Sequence, residues 1–432
     1  MAILTNAPRG TQDVLPSQSG RWQYVEQTAL DTARLFGFSE IRVPTFEHTE
    51  LFNRSVGDTT DVVQKEMYTF QDKGNRSITL RPEGTAGVMR AILQNNLLAG
   101  ALPVKVSYLV NCFRYEKPQA GRLREFHQFG VEMAGAASPA ADAQVIALAK
   151  AVFDTLGVQG LALELNSIGC PTCRADYHRA LKDYFASHVE ELCPTCRERL
   201  EKNPMRILDC KNPECAQLAK GAPVVLDYIC GDCREHFEGL KSQLDAMGIA
   251  YTVNPTIVRG LDYYTRTVFE FVTTGIGAQG TVCGGGRYDG LIQMLGGAPT
   301  PSVGFAMGLE RLLLVMDQQG CPFPEQAGCA IYIGSLGEQA GLKAAQLCAG
   351  LRAEGFWAEC DTMGRSAKAQ MKYADKLGAR FSCILGENEL SQGAAQVKRM
   401  QDGATAQVAL EPEAFVQHLY HNTFEEIAGT AL

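Results

Sequence analysis

The sequence predicts an α+β core built around an antiparallel sheet, interrupted by a cysteine-rich insertion and followed by a smaller α/β domain. Three observations predict this. Stretches rich in β-branched and aromatic residues recur between turn-rich connections at Val104–Cys112, Glu125–Glu132, Thr265–Val272 and Thr281–Cys283, as strands linked by hairpins do. Eight of the 15 cysteines fall between Cys170 and Cys233, in four close pairs. Beyond a proline-containing linker, Gln319 to Gly328, strand-like and helix-like segments alternate, the pattern of an α/β layer.

Bulk composition narrows the function classes. A chain of 432 residues, 46% hydrophobic, suggests two or three domains with a substantial core. Net charge is −8, from 40 Lys+Arg against 48 Asp+Glu, which argues against a generally sticky nucleic-acid binder but leaves room for a local basic groove. No apolar run is long enough to span a bilayer, and Met1 to Gly10 is short and polar rather than a signal peptide. The cytoplasm is therefore expected. In that reducing compartment, closely spaced cysteines point to metal before disulfide.

Taken in order, Pro8 to Asp13 is polar and turn-rich, and Arg21 to Phe36 has helical periodicity. Gly37-Phe38 ends that helix, and Ile41-Arg42-Val43-Pro44 reads as a strand. Ser77–Leu80 is a strand leading into Arg81-Pro82-Glu83-Gly84-Thr85. Glu83 and Thr85 there suit either a cap on the helix expected from Ala86 to Asn95 or a pocket for an ammonium group; on residue pattern alone, the cap is favoured. Val104–Cys112 is a strand. The charged loop after it carries Arg114, Glu116, Arg122 and Arg124 and returns as a strand from Glu125. Period two puts Phe126, Gln128, Gly130 and Glu132 on one face, so Arg114, Gln128 and Glu132 are expected to line one concave surface.

Ala140–Leu156 is a predicted helix behind Pro139, and Leu161–Asn166 a strand. The insertion, residues 169–249, holds Cys170-x-x-Cys173, Cys193-x-x-Cys196, Cys210-x4-Cys215 and Cys230-x-x-Cys233. Thiolates two residues apart suit tetrahedral Zn²⁺, and eight cysteines allow two structural Cys₄ sites; spacing does not say which pairs combine. The alternative is a cluster of reduced, metal-free cysteines.

Arg259, Asp262, Tyr263 and Tyr264 crowd just ahead of Thr265–Val272. Arginine can grip a carboxylate or phosphate bidentately, and tyrosine hydroxyls can bond a ring nitrogen. Gly284-Gly285-Gly286 would let a ligand approach the backbone. Gly275-x-Gly277-x-x-Gly280 matches a dinucleotide fingerprint only formally, because no helix starts at Gly280; a flexible hairpin connection is expected. Pro301–Leu314 reads as a strand and then a helix, with Arg311 one turn in. In the last domain Arg365, Lys368, Lys372 and Lys376 recur at helical spacing as a basic stripe.

Arg-Gly-Leu-Asp-Tyr-Tyr-Thr (259–265) and Gly-Gly-Gly-Arg-Tyr-Asp-Gly (284–290) together resemble the paired histidine-binding signatures of histidyl-tRNA synthetases, a class II aminoacyl-tRNA synthetase family. The likeness runs along nearly the whole chain. Gly37–Phe52 resembles the class II dimer element, Phe113–Glu132 motif 2, and Pro301–Leu314 motif 3.

The resemblance implies a class II catalytic core at 1–168 and 250–320, an insertion at 169–249, and an anticodon-binding domain at 328–432. It implies ATP-dependent ligation of L-histidine to tRNA(His) through a histidyl-adenylate, by a homodimer, with Mg²⁺ accompanying ATP and structural Zn²⁺ as an addition. Arg114 and Arg259 are the implied catalytic cations and also belong to the implied histidine-binding set. Glu132 and Tyr264 would meet the two imidazole nitrogens. Glu83, Thr85, Gln128 and Tyr263 would form the ammonium site and walls. Arg114, Glu116, Arg122 and Arg311 would bind ATP, and Arg122, Arg124, Arg365, Lys368 and Lys372 tRNA. Two rival readings exist: a non-catalytic relative serving as regulatory subunit of ATP phosphoribosyltransferase, and a zinc-dependent RNA-binding protein. The first generally lacks the C-terminal domain and signature residues that are present here, and the ATP-site pattern argues against the second.

Overall fold

A computed structural model describes residues 5–57, 60–210, 212–273, 280–325 and 328–430, the last eight as backbone only. Its contacts divide the chain into two compact units, Met1–Pro324 and Glu325–Leu432.

The first unit is organised by an eight-stranded sheet. Its order is Ser39–Glu40, Val104–Phe113, Glu125–Ala134, Ser302–Gly308, Thr281–Arg287, Thr265–Val272, Ala162–Ser167 and Thr252–Val253. The inner pairings are antiparallel, and the two short edge strands pair in parallel. Alternation along the central strands separates two environments, as the pleat requires. Phe129, Val131 and Met133 pack with Phe305, Phe269 and the helix residues Val145, Leu148, Leu240 and Leu312 in the main core. Gln128, Gly130 and Glu132 take the alternate positions.

The helices behind that core are Pro16–Leu35, Pro139–Thr155, Gly231–Ala246 and Leu309–Gln319. A buried polar knot ties two of them, Pro139–Thr155 and Gly231–Ala246, to the sheet. Asp142 accepts from Arg287 Nη2 at 2.5 Å and from Thr267 Oγ1 at 2.7 Å, and bonds His236 Nε2 at 2.6 Å. The side chains of Asp142 and Arg287 are 0% exposed. The remaining donors of Arg287 reach the carbonyls of Ala136 and Ser138 and the carboxylate of Asp289. Burial pushes the Asp142 carboxyl up, but His236 and Arg287 outweigh it and hold it below the usual carboxylate range.

The expected strand at Ile41–Pro44 falls earlier, at Ser39–Glu40. Ile41 N–H still bonds the Ser107 carbonyl at 2.8 Å. The carbonyls of Val43 and Pro44 are instead taken by the buried Arg81 guanidinium, at 2.9 and 3.1 Å, and Pro44 has no N–H to offer a ladder. Gly275 and Gly277 lie outside the described residues. The strands on either side of them pair antiparallel, and Thr273 N–H bonds the Gly280 carbonyl at 2.9 Å.

The second unit holds a five-stranded sheet in the order Ala358–Cys360, Ile331–Ser335, Phe381–Leu385, Ala394–Arg399, Thr405–Ala409. The first three strands are parallel and the last two antiparallel. Helices Glu338–Ala353 and Ala367–Lys376 make the α/β alternation anticipated from the sequence.

Candidate active site

Five stretches of the chain, around residues 83–85, 114–128, 259–264, 281–288 and 304–311, meet at a cavity of about 250 Å³. Its floor is the sheet face that carries the small residues Gly284, Gly304, Ala306 and Gly308 beside Gln128. The two glycines nearest the buried charges leave no room for a side chain. A Cβ at Gly284 would sit 2.5 Å from Arg259 Nη2, and one at Gly304 would sit 2.0 Å from Glu132 Oε2. The walls carry Glu83, Thr85, Arg114, Glu116, Arg122, Arg259, Tyr263, Tyr264 and Arg311.

Glu83 caps the helix that follows it and also lines the cavity. Its two carboxylate oxygens accept the Thr85 and Ala86 N–H groups, each at 2.8 Å, capping the Thr85–Gln94 helix while the residue lines the cavity. A carboxylate has about four lone-pair sites, so acceptor capacity remains. Burial pushes its carboxyl up, against the bonds from Ala86 and Thr85.

The cations have different degrees of support. Arg114 Nε donates to the Pro82 carbonyl at 2.8 Å, and its guanidinium lies 5.3 Å from the Phe126 ring. Arg259 pairs with Glu270, which also accepts from Thr281 Oγ1 at 2.7 Å. Burial works against the Arg259 charge, and Glu270 overrides it. Arg122 pairs with Glu116, and Arg311 donates to the Thr281 carbonyl. Burial lowers the pKa of both Arg122 and Arg311, and repulsion from the Arg122 charge lowers that of Arg311 further. Two guanidiniums that repel across one cavity favour the arrival of a polyanion.

Tyr263, Tyr264 and Tyr288 pack ring on ring, with centroids 4.7 to 6.1 Å apart. Burial raises the phenol pKa values of Tyr263 and Tyr264, so they remain neutral hydrogen-bonding groups. Glu132 is not among the lining residues. It is fully buried beneath Gly304, where Tyr108 donates to it at 3.0 Å and Tyr288 donates to its other oxygen. Burial holds its carboxyl well above the ordinary value. Tyr288, inside the quoted 284–290 motif but given no role from sequence, is the group that joins Glu132 to the cavity wall.

Arg124 also lies off the cavity. It stacks at 3.9 Å from the Tyr115 ring and donates to the Glu116 carbonyl at 3.1 Å, bracing the loop. A neighbouring cavity of about 330 Å³ shares Gly121, Leu123 and Glu310 with the first. Its arginine, Arg21, is tied to Asp317, so the convergent cationic chemistry belongs to the smaller space.

In the second unit Lys368, Lys372 and Lys376 are exposed. Arg365 is held by Asp361 at 2.8 Å and lies over the Tyr373 ring. The eight insertion cysteines gather into two groups of four.

Residues 10–312 match the family model for histidyl-tRNA synthetase, and residues 330–419 match that for an anticodon binding domain. The chain belongs to the histidyl-tRNA synthetase family. It is 54% identical to the histidine–tRNA ligase of Acetivibrio thermocellus, over 95% of this chain and 98% of that one. To the histidine–tRNA ligase of Clostridium novyi it is 51% identical over the full length of both. Among solved structures it is similar to apo S. aureus histidyl-tRNA synthetase, with TM-score 0.82, 38% identity, and coverage of 96% of this chain and 100% of that one. The synthetase fold thus accounts for both units of this chain.

Proposed function

We propose that the cavity carries out the family's reaction in this chain, the ATP-dependent joining of L-histidine to tRNA(His). The observation that carries this reading is the convergence of Arg114, Arg259, Tyr263 and Tyr264 on one small space floored by glycines. A carboxylate oxygen of histidine attacks the α-phosphorus of ATP, and pyrophosphate leaves. The 3′-terminal ribose hydroxyl of the tRNA then attacks the adenylate carbonyl, and AMP leaves. Arg114 and Arg259 flank the phosphorus as negative charge builds, which is preorganised electrostatic stabilisation. Arg122 and Arg311 take the triphosphate, with Glu116 toward the adenine. Glu83, Thr85 and Gln128 receive the α-ammonium. Tyr264 and the Glu132–Tyr288 pair are assigned to the imidazole. A site whose buried groups need a ring with two nitrogens rejects analogues lacking them by roughly 10⁴-fold.

Residues 1–168 and 250–320 form the catalytic part of this reading, 169–249 the insertion, and 328–432 the anticodon-binding part. Arg122, Arg124, Arg365, Lys368 and Lys372 are the proposed tRNA contacts, and Gly37–Phe52 the proposed homodimer segment. Among the described residues, the groups of three or more side chains placed to hold a metal are the cysteines. The cavity carboxylates Glu116 and Glu310 are committed to Arg122 and His127. Mg²⁺ is therefore assigned to the triphosphate itself, the usual mode for this ion, and Zn²⁺ to the cysteines. No helix among the described residues is long and apolar enough to cross a membrane, and reduced thiols suit the cytoplasm.

A Bacillus halodurans structure named as an ATP phosphoribosyltransferase regulatory subunit/histidyl-tRNA synthetase shares the fold at 23% identity. The intact set of cavity arginines favours the catalyst over such a regulator. ATP–pyrophosphate exchange, run with and without histidine, tests it: exchange dependent on histidine is expected, and none under either condition would refute the reading.

A further inference from the structure

The insertion holds two nested metal-type clusters, and residues beside each bond the 259–264 segment that lines the cavity. The outer cluster joins its two ends, Cys170 and Cys173 with Cys230 and Cys233; the inner joins Cys193 and Cys196 with Cys210 and Cys215. Within each, the sulfurs lie within 4.8 Å of one another. The Sγ–Sγ distances are 3.5 Å for Cys170–Cys173, 3.9 Å for Cys173–Cys233 and 3.9 Å for Cys193–Cys210. A tetrahedron with Zn–S bonds of about 2.3 Å has an edge of about 3.8 Å, whereas a disulfide needs about 2.05 Å. All eight thiols are free. The Cys230 N–H points at Cys173 Sγ, 3.0 Å away, and the Cys193 N–H at Cys215 Sγ, 3.2 Å away. Such donors support a ligating thiolate.

The chain between the inner ligands Cys196 and Cys210 is what touches the site. Arg206 Nη1 donates to the Arg259 carbonyl at 2.9 Å, and Asn203 Nδ2 to Asp262 Oδ1 at 3.1 Å. From the outer cluster, Arg174, next to Cys173, donates to the Tyr264 carbonyl at 3.1 Å. These bonds hold the segment that delivers Arg259, Tyr263 and Tyr264. The inner elements that make them are short, Pro194–Lys202 and Pro204–Ile207, well below the roughly 12–15 residues at which an isolated helix becomes even marginal in water. Apolar packing of Met205 and Ile207 against the core that includes Tyr263 and Tyr264 holds the position of the insertion but not the register of its polar contacts.

We propose that the insertion binds two Zn²⁺ ions, one per cluster, and that the inner ion acts as a positioning device for the 259–264 wall, so that its loss weakens capture of histidine more than of ATP. The second half rests on the histidine-binding reading of that wall.

Full-length protein purified without chelator is expected to carry two zinc per chain, one for each four-sulfur group. Its Co²⁺-substituted form should show the intense thiolate-to-cobalt absorption of tetrahedral sulfur sites. Cys210→Ser should retain one zinc and raise the KM for histidine in pyrophosphate exchange by about tenfold or more, with the KM for ATP changed less than twofold. Cys210→His, which restores a ligand, should recover both. Arg206→Ala should keep two zinc yet shift the histidine KM in the same direction, and it decides the coupling if Cys210→Ser does not fold. Zinc near zero overturns the metal sites. One zinc with an unchanged histidine KM, or an Arg206→Ala protein with unchanged KM, overturns the coupling. Two zinc with no histidine-dependent exchange leaves the metal sites standing and removes the functional reading instead.

Discussion

Two arginine–carboxylate centres draw on the same pair of strands, one through Glu270 on Thr265–Val272 and the other through Arg287 on Thr281–Arg287, and do opposite things. Arg287 is sealed, and its donors are filled by Asp142, Asp289 and the carbonyls of Ala136 and Ser138. Arg259 keeps 19% of its side chain exposed, faces a cavity, and has Glu270 as its ion-pair partner. A guanidinium whose five donors are all consumed is a joint; one with donors to spare toward an open space is a binding group.

The comparison can be broken by substitution. The largest stability effect belongs to Arg287→Ala. It strips the buried Asp142 carboxylate of its arginine partner, leaving only His236 and Thr267, and is expected to cost about 3–5 kcal/mol, measured by thermal or denaturant unfolding. Arg287→Lys should recover little, since one ammonium cannot reach four acceptors. Arg259→His is expected to lower histidine-dependent pyrophosphate exchange by about 10²–10³-fold, while histidine binding suffers less than catalysis and the unfolding midpoint moves little. If Arg259→His unfolds the protein and Arg287→Ala does not, the two roles have been assigned the wrong way round.

The smallest effect concerns His127, whose Nδ1 lies 2.9 Å from Glu310 Oε1 at the rim. The hydrogen bond to Glu310, set against burial, raises its pKa. The pair's contribution is therefore complete below the unfolded value of about 6.5 and lost as pH rises through the higher folded value. With 37% of the His127 side chain exposed, the contribution is under about 1 kcal/mol. Wild type should exceed His127→Gln in Tm by more at pH 6 than at pH 9; an equal gap at both would remove the ion pair from consideration.

Much of this was legible in the residues because it is local. The Ser77–Leu80 and Thr265–Val272 strands fall where they are expected from the sequence, and the period-two pattern after Glu125 puts Gln128 beside the cavity. What was not legible depends on partners distant in the chain. Arg287 stands inside a glycine-rich ligand-type motif, and only Asp142, 145 residues away, makes it structural. Glu132 shares the face of Gln128 yet is covered, because Tyr288, just past the end of the Thr281–Arg287 strand, bonds it. The nesting of the cysteines is likewise topological: spacing gives pairs, and only the fold says that the first joins the last.

The bare floor also limits what the catalyst can become. Gly284 and Gly304 have already surrendered every atom a side chain could lose, so no further trimming from below can admit a bulkier amino acid. Room for a different substrate cut from Tyr288 would remove the phenol that donates to the buried Glu132. Retooling this pocket there would thus deprive a buried acid of a donor in the act of widening it, a built-in obstacle to drifting toward another member of the genetic code.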